Sequence, residues 1–179
     1  HEGLLALLYP QGLQCLACGA PLPRRPDAQL CGPCRGALVE MEDQRHLPGG
    51  ALDVARCAYW HQGTAKELVH RMKYEGLRVA AEPLAKGMAQ WVLEAWDGIL
   101  PIPLHEKRER ERGFNQAELL ARGVAEWTGI PLLHRVLVRK RETIPQVGLS
   151  RARRRENVQD AFATEGQVQG MEVLLVDDV

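Results

Sequence analysis

Two cysteine pairs, Cys15-x2-Cys18 and Cys31-x2-Cys34, stand twelve residues apart and dominate the organisation of residues 1–50. Each pair closes a turn that presents two thiolates to one ion, and together they complete the tetrahedral four-sulfur shell of a structural metal site. Gly19 after Cys18 and Gly32 after Cys31 suit tight turns whose backbone N–H groups point at the sulfurs. Zinc is the expected occupant, with iron the other metal that four thiolates accept. Two competing readings fit less of the sequence. Cys31-Gly32-Pro33-Cys34 alone spells a thioredoxin-type redox pair, but that chemistry needs a strand before it and a long helix after it. The preceding stretch instead holds Pro21, Pro23 and Pro26 among polar residues. Two disulfides would require an oxidising compartment, for which nothing in the sequence argues. Four protein ligands leave no open position for water, so the expected role is structural. So short a segment buries little core, and the metal supplies its folding free energy. Cys57, alone in the apolar run 54–60, is expected to be a small buried hydrophobe.

The full chain of 179 residues allows one ordinary domain of roughly 150 residues plus a small appendage. Its 45% hydrophobic and 26% charged content is that of soluble globular proteins and excludes wholesale disorder or a fibrous architecture. Residues 46–50, with Pro48, Gly49 and Gly50, form the natural linker, so the expected domains are 1–50 and 51–179. The apolar stretch 4–9 is far shorter than the ~18 residues that span a bilayer, and no basic region precedes it. The expectation is a cytoplasmic protein without membrane insertion. The chain begins at His1 and stops just after an apolar run, so both ends are expected to be cuts in a longer product.

After the linker, 54–60 reads as a strand. Thr64 and Glu67 spell a capping box for a helix with Leu68, Val69 and Met72 on one face. Gly76 closes it, and Pro83 opens a second helix carrying Leu84, Met88, Trp91, Val92 and Ala95. A short apolar strand at 99–102 leads into a charged loop and a third helix over about 115–128. Residues 136–138 form another short strand, and 173–176 a continuous aliphatic strand of the kind found in parallel sheets. Strands alternating with helices indicate an α/β domain, whose ligands sit at the carboxyl ends of the strands. Trp60, Trp91, Trp96 and Trp127 are mostly at core spacing, so base stacking on them is not expected.

Lysine plus arginine and aspartate plus glutamate number 23 each, yet residues 133–157 hold eight cationic side chains against two acidic ones. Such a concentration marks either an anionic ligand or a solvated arginine-rich helix. Two strand ends carry further chemistry. Asp177 and Asp178 follow the last aliphatic strand, and adjacent carboxylates repel unless cations or hydroxyl donors hold both ionised. A sugar diol with a magnesium-bound phosphate would do so; an ordinary acidic turn is the alternative. The other strand end, Pro103-Leu104-His105, opens into Arg108, Arg112, Gly113, Phe114, Asn115 and Gln116 before a helix start, where N–H groups and guanidinium forks favour an anion.

The order of these pieces resembles the competence protein F family, which joins an amino-terminal zinc ribbon to a phosphoribosyltransferase-like domain. The matching segments are the four cysteines, YWHQGTAKELVHRMKYEG at 59–76, PIPL at 101–104, RGFNQA at 112–117, Pro145-Gln146 with Leu149, Arg154 and Asn157, and VLLVDDV at 173–179. The resemblance implies an α/β fold in which a small N-terminal zinc ribbon precedes a type I phosphoribosyltransferase-like domain with a mostly parallel sheet. It implies that Asp177 and Asp178 hold the ribose hydroxyls of 5-phosphoribosyl-1-pyrophosphate (PRPP) with magnesium, as substrate-binding and catalytic residues. Pro103 and Leu104, with Arg108 and Arg112, would grip the pyrophosphate, and Arg139 and Lys140 would belong to a basic hood over it. A closing cationic loop would stabilise the leaving pyrophosphate and exclude water from the oxocarbenium-like ribose. The family's acidic pair is followed by a Thr-Thr-Gly-x-Thr loop for the 5-phosphate, whereas this sequence runs one residue past Asp178, so a domain truncated at its C-terminus is expected. The implied role is natural transformation and the handling of incoming single-stranded DNA, beside competence or recombination proteins. A true phosphoribosyltransferase acting on a nucleobase or nucleotide, and a non-catalytic DNA-binding or scaffold module, remain the alternatives.

Overall fold

Ile99 and Leu100 are buried in a strand that runs parallel to Val173–Val176, and this pairing organises the second half of the chain. The computed structural model describes residues 14–23, 28–41, 44–46, 52–144, 146 and 148–178. In chain order the elements are α1 (Gly32–Gly36), β1 (Gln44–His46), β2 (Val54–Arg56), α2 (Gly63–Tyr74), a 3-10 turn (Arg78–Ala80), α3 (Ala81–Ala89), β3 (Gly98–Pro101), α4 (Glu106–Arg112), α5 (Gln116–Thr128), β4 (Leu137–Arg139), α6 (Arg151–Val158), β5 (Phe162–Thr164) and β6 (Val173–Val176). They fall into two compact units divided between Trp91 and Val92. The proline-glycine linker and the apolar stretch 4–9 lie outside the described residues, apart from His46, which ends β1.

In the first unit, β1 and β2 form an antiparallel ribbon. The strand expected over 54–60 stops at Arg56, and Tyr59 instead makes an isolated bridge with Glu40. Cys57 lies past the end of β2 and is exposed, contrary to the expectation of a buried thiol. Trp60 is 49% exposed, so its place in an apolar run does not put it in the core. The α2 helix does bury Leu68, Val69 and Met72, as its spacing predicts. Its start differs from the expected capping box. Gly63 takes φ +49°, Gln62 is the N-cap without a side-chain bond, and Thr64 is carried into the helix and buried. Pro83 sits in the first turn of α3, where a missing N–H costs nothing. This helix ends at Ala89 with tight Gln90 N→Gly87 O and Trp91 N→Met88 O bonds, so Val92 and Ala95 lie beyond it.

In the second unit, α5 covers the parallel pair with Ala117, Leu120, Ala121 and Val124. Asn115 caps it and Gly129 ends it in the left-handed conformation, which gives it nearly the span expected over about 115–128. The charged loop expected after β3 is the helix α4. It has no buried residue but is held by a His105 side-chain cap, an Arg110–Glu106 pair at 3.3 Å and Gly113 at φ +80°. A charged surface helix carries no apolar periodicity and escapes a reading based on it. The fold is a mixed α/β arrangement with parallel β3–β6, extended by a parallel bridge from Ile99 to Leu132. The ribbons β1–β2 and β4–β5 are antiparallel, so the mostly parallel character expected is confined to this one sheet among the described residues. Leu175 is 38% exposed and Trp127 56%, both more open than core spacing suggests.

Candidate functional site

The first candidate site is the cysteine cluster. Cys15 and Cys18 flank a turn closed by Gly19 N→Cys15 O at 2.8 Å, with Gly19 at φ +73°. Cys31 is the N-cap of α1, and Cys34 lies within that helix. The four Sγ atoms all lie within 4.8 Å of one another, with Cys18 Sγ 3.7 Å from Cys31 Sγ. Tetrahedral Zn–S bonds of about 2.3 Å place sulfurs about 3.8 Å apart, so the donor set fits a metal such as zinc. Cys31 N donates to Cys15 Sγ at 3.4 Å, the kind of outer bond expected around such a shell. Burial pushes the Cys15 thiol up, but hydrogen bonds from the backbone at Cys18, Cys31 and Ala17 outweigh it and bring the group down to about 6. Burial and the neighbouring thiols push Cys34 up to about 12. Crowded sulfurs without a cation cannot all ionise, and a divalent ion relieves that conflict. Arg71 of α2 supports the cluster by donating to Leu16 O at 2.7 Å.

The second candidate site is the carboxyl edge of β3 and β6. Ile102 N donates to Val176 O at 2.9 Å, carrying the parallel ladder one step past β3. Pro103 and Leu104 therefore leave one strand beside Asp177 and Asp178 at the end of the other. Asp178 N donates to Asp177 Oδ1 at 2.8 Å within the acidic pair. Asn115 Nδ2 donates to Ile102 O at 3.0 Å and ties this loop to the start of α5.

The basic residues divide. Arg139, at the end of β4, lies over the Phe162 ring at 5.3 Å to the centroid. Its affinity for its proton is lowered by burial first and by Arg108 next, while Asp177 acts in the opposite sense and Arg141 adds to the lowering. Arg139 thus feels both the Arg108 cation and the Asp177 carboxylate. Arg112 is half-buried in the last turn of α4, and Lys140 is exposed, its backbone N bound to Ala161 O at 2.8 Å. Arg151, Arg153, Arg154 and Arg155 are exposed on α6, so this part of the basic stretch is an arginine-rich surface helix. Sequence reasoning passed over Thr143, which is buried where Arg108 and Arg139 meet. A single threonine in a polar loop carries no periodic or spacing signal.

The chain is therefore an α/β protein with a parallel strand pair and a four-cysteine cluster near its N-terminus. It is 37% identical to the DNA utilization protein YhgH of Salmonella typhi over 175 residues, 84% of this chain and 77% of that protein. It belongs to the competence protein F family. Competence protein F of Haemophilus influenzae is 38% identical over 86 residues, covering 46% of this chain and 38% of that protein. Competence protein ComFC of Bacillus subtilis is 25% identical over 194 residues, 98% of this chain and 75% of that protein. The match to the YhgH protein of Salmonella typhimurium spans about half of that protein, 53%. No protein-family model and no solved structure matches the chain. No helix among the described residues is long and apolar enough to cross a membrane.

Proposed function

We propose that this protein handles incoming single-stranded DNA during natural transformation, in the cytoplasm and beside competence or recombination proteins. We further propose that the carboxyl edge of β3 and β6 is a PRPP site on a type I phosphoribosyltransferase-like fold. The relatives named for competence and DNA utilization support the first part. The observation that carries the second is the parallel register of β3 and β6, which sets Asp177 and Asp178 beside Pro103 and Leu104, with Arg108 and Arg139 close by. In this reading the two carboxylates accept hydrogen bonds from the ribose hydroxyls. The Leu104 N–H, Arg108 and Arg112 take the pyrophosphate, and Arg139 with Lys140 close over it, where guanidinium and ammonium charge favours the leaving diphosphate. Magnesium bound with PRPP would offset the diphosphate charge. Zinc at Cys15, Cys18, Cys31 and Cys34 has a structural role.

Calorimetric titration of the intact gene product with PRPP and magnesium tests the site, with Asp178→Asn as control. Binding that needs both magnesium and Asp178 is expected; no binding would overturn the PRPP reading. Transformation assays test the role. If Asp177→Asn and Asp178→Asn variants restored a deficient strain as well as the wild type, the site would be unrelated to transformation. The four exposed arginines of α6 favour a second reading, in which the protein also contacts DNA phosphates directly.

A further inference from the structure

Thr143 lies in the irregular segment between β4 and α6, yet it is only 5% exposed. Its two oxygen atoms receive two guanidinium groups from different elements. The carbonyl accepts from Arg108 Nη2 of α4 at 3.4 Å, and Oγ1 accepts from Arg139 Nη2 at the end of β4. Both neighbours of Thr143 are tethered. Glu142 pairs with Lys107 at 3.3 Å, and Ile144 exchanges two backbone hydrogen bonds with the Asn157 amide, at 3.2 and 2.9 Å. The threonine therefore cannot swing away from the two arginines without breaking contacts on either side.

Bringing two guanidinium groups to one neutral residue is unfavourable by itself, because like charges in a half-buried place repel. Burial weakens the proton affinity of Arg139 most, Arg108 adds to the weakening, and Asp177 offsets part of it. Arg139 Nε is also buried without a hydrogen-bond partner among the described residues. Two cations held together against their repulsion, with a buried donor unused, suit a ligand with two adjacent negative centres.

We infer that Thr143 is a positioning residue that spaces Arg108 and Arg139 for a diphosphate and so favours diphosphate over monophosphate ligands. This rests on the proposed phosphoribosyl site and adds to it a residue that itself touches no ligand. The Oγ1 hydrogen bond aims Arg139, and the carbonyl aims Arg108.

The test titrates the intact gene product with inorganic pyrophosphate and, separately, with inorganic phosphate. The wild type is expected to bind pyrophosphate more tightly. Thr143→Val keeps the shape and the carbonyl but loses the hydroxyl. It is expected to weaken pyrophosphate binding about tenfold, the effect of losing one hydrogen bond to a charged group, with phosphate binding unchanged. Thr143→Ser restores the wild-type ratio. In an Arg139→Gln background, Thr143→Val has no further effect, since Thr143 acts through Arg139.

An unchanged pyrophosphate-to-phosphate ratio in Thr143→Val, or additive effects in the double variant, overturns the inference while leaving the PRPP site standing. A wild type that binds PRPP but prefers phosphate to pyrophosphate overturns it in the same way. A wild type that binds neither PRPP nor pyrophosphate overturns both. If Thr143→Val loses its far-UV circular dichroism, a cycle of Arg108→Gln and Arg139→Gln decides. Coupled losses support a spaced pair, and independent losses overturn it.

Discussion

The side-chain amide of Asn115 joins Ile102 to α5: its Nδ2 donates to the Ile102 carbonyl at 3.0 Å, and its Oδ1 accepts from Ala117 N at 3.1 Å. One buried residue thus caps a helix and fixes the loop that leaves β3. Asn115→Ala should lower stability by about 2 to 3 kcal/mol, because it removes a cap and leaves a carbonyl unsatisfied. Asn115→Ser keeps the cap and loses the bridge, so about 1 kcal/mol is expected. Urea denaturation of both variants measures the difference.

Zinc removal should loosen the unit that ends at Trp91. One zinc per chain is expected, and Cys15→Ser should abolish stoichiometric binding. The metal-free cluster holds a proton on Cys34, whose thiol is pushed up to about 12, and zinc must displace it. Uptake therefore releases protons, and affinity rises with pH. As the pH falls through about 6, Cys15 also takes a proton and affinity drops further. Competition with a chromophoric chelator on either side of that pH measures the slope.

A Cβ added at Gly98 would lie 2.4 Å from Leu133 Cδ1 and 2.5 Å from its Cγ. Gly98→Ala is expected to cost about 1 to 3 kcal/mol through overpacking at the start of β3. Leu133→Ala in the same chain makes room, so the double variant should be more stable than the sum of the single losses predicts. Denaturant midpoints of the four proteins decide this.

Single-stranded DNA binding, if made through α6, should weaken steeply with salt. Each phosphate contact contributes about −0.7 to the slope of log K against log salt for single strands. Replacing Arg151 and Arg155 by glutamine should therefore flatten the slope by about 1.4. An unchanged slope would place the contact elsewhere. Fluorescence anisotropy over a salt series provides the measurement.

The cysteine cluster is legible in the sequence because metal geometry constrains spacing directly, and the structure gathers all four sulfurs. The aliphatic runs of β3 and β6 and the span of α5 are legible for a similar reason: local sequence pattern acts over a few residues. What escapes depends on longer-range or chemically plain features. The α4 helix has only charged residues, so its order comes from caps and i,i+4 pairs that apolar patterning ignores. Thr64 reads as a cap, but the helix takes Gln62 as its N-cap two residues earlier and buries Thr64 inside its first turn. Cys57 and Trp60 look apolar enough for a core, yet β2 ends before them. Thr143 gains its place only when α4 meets the segment after β4, a contact between residues 35 apart in the chain.

The anchorage of the segment after β4 bears on how it can move. Arg141 reaches the carbonyls of Asn157 and Gln159 at 3.1 and 2.6 Å, while the Asn157 side chain holds both polar groups of Ile144. These tethers run between the same two short stretches of chain, so losing one removes the geometry that supports the others. The bonds therefore reinforce one another, and their loss is expected as one cooperative opening rather than as separate frayings. In kinetic terms, the Ile144 amide, which donates to the Asn157 side chain, should exchange with solvent only when the whole set of tethers opens.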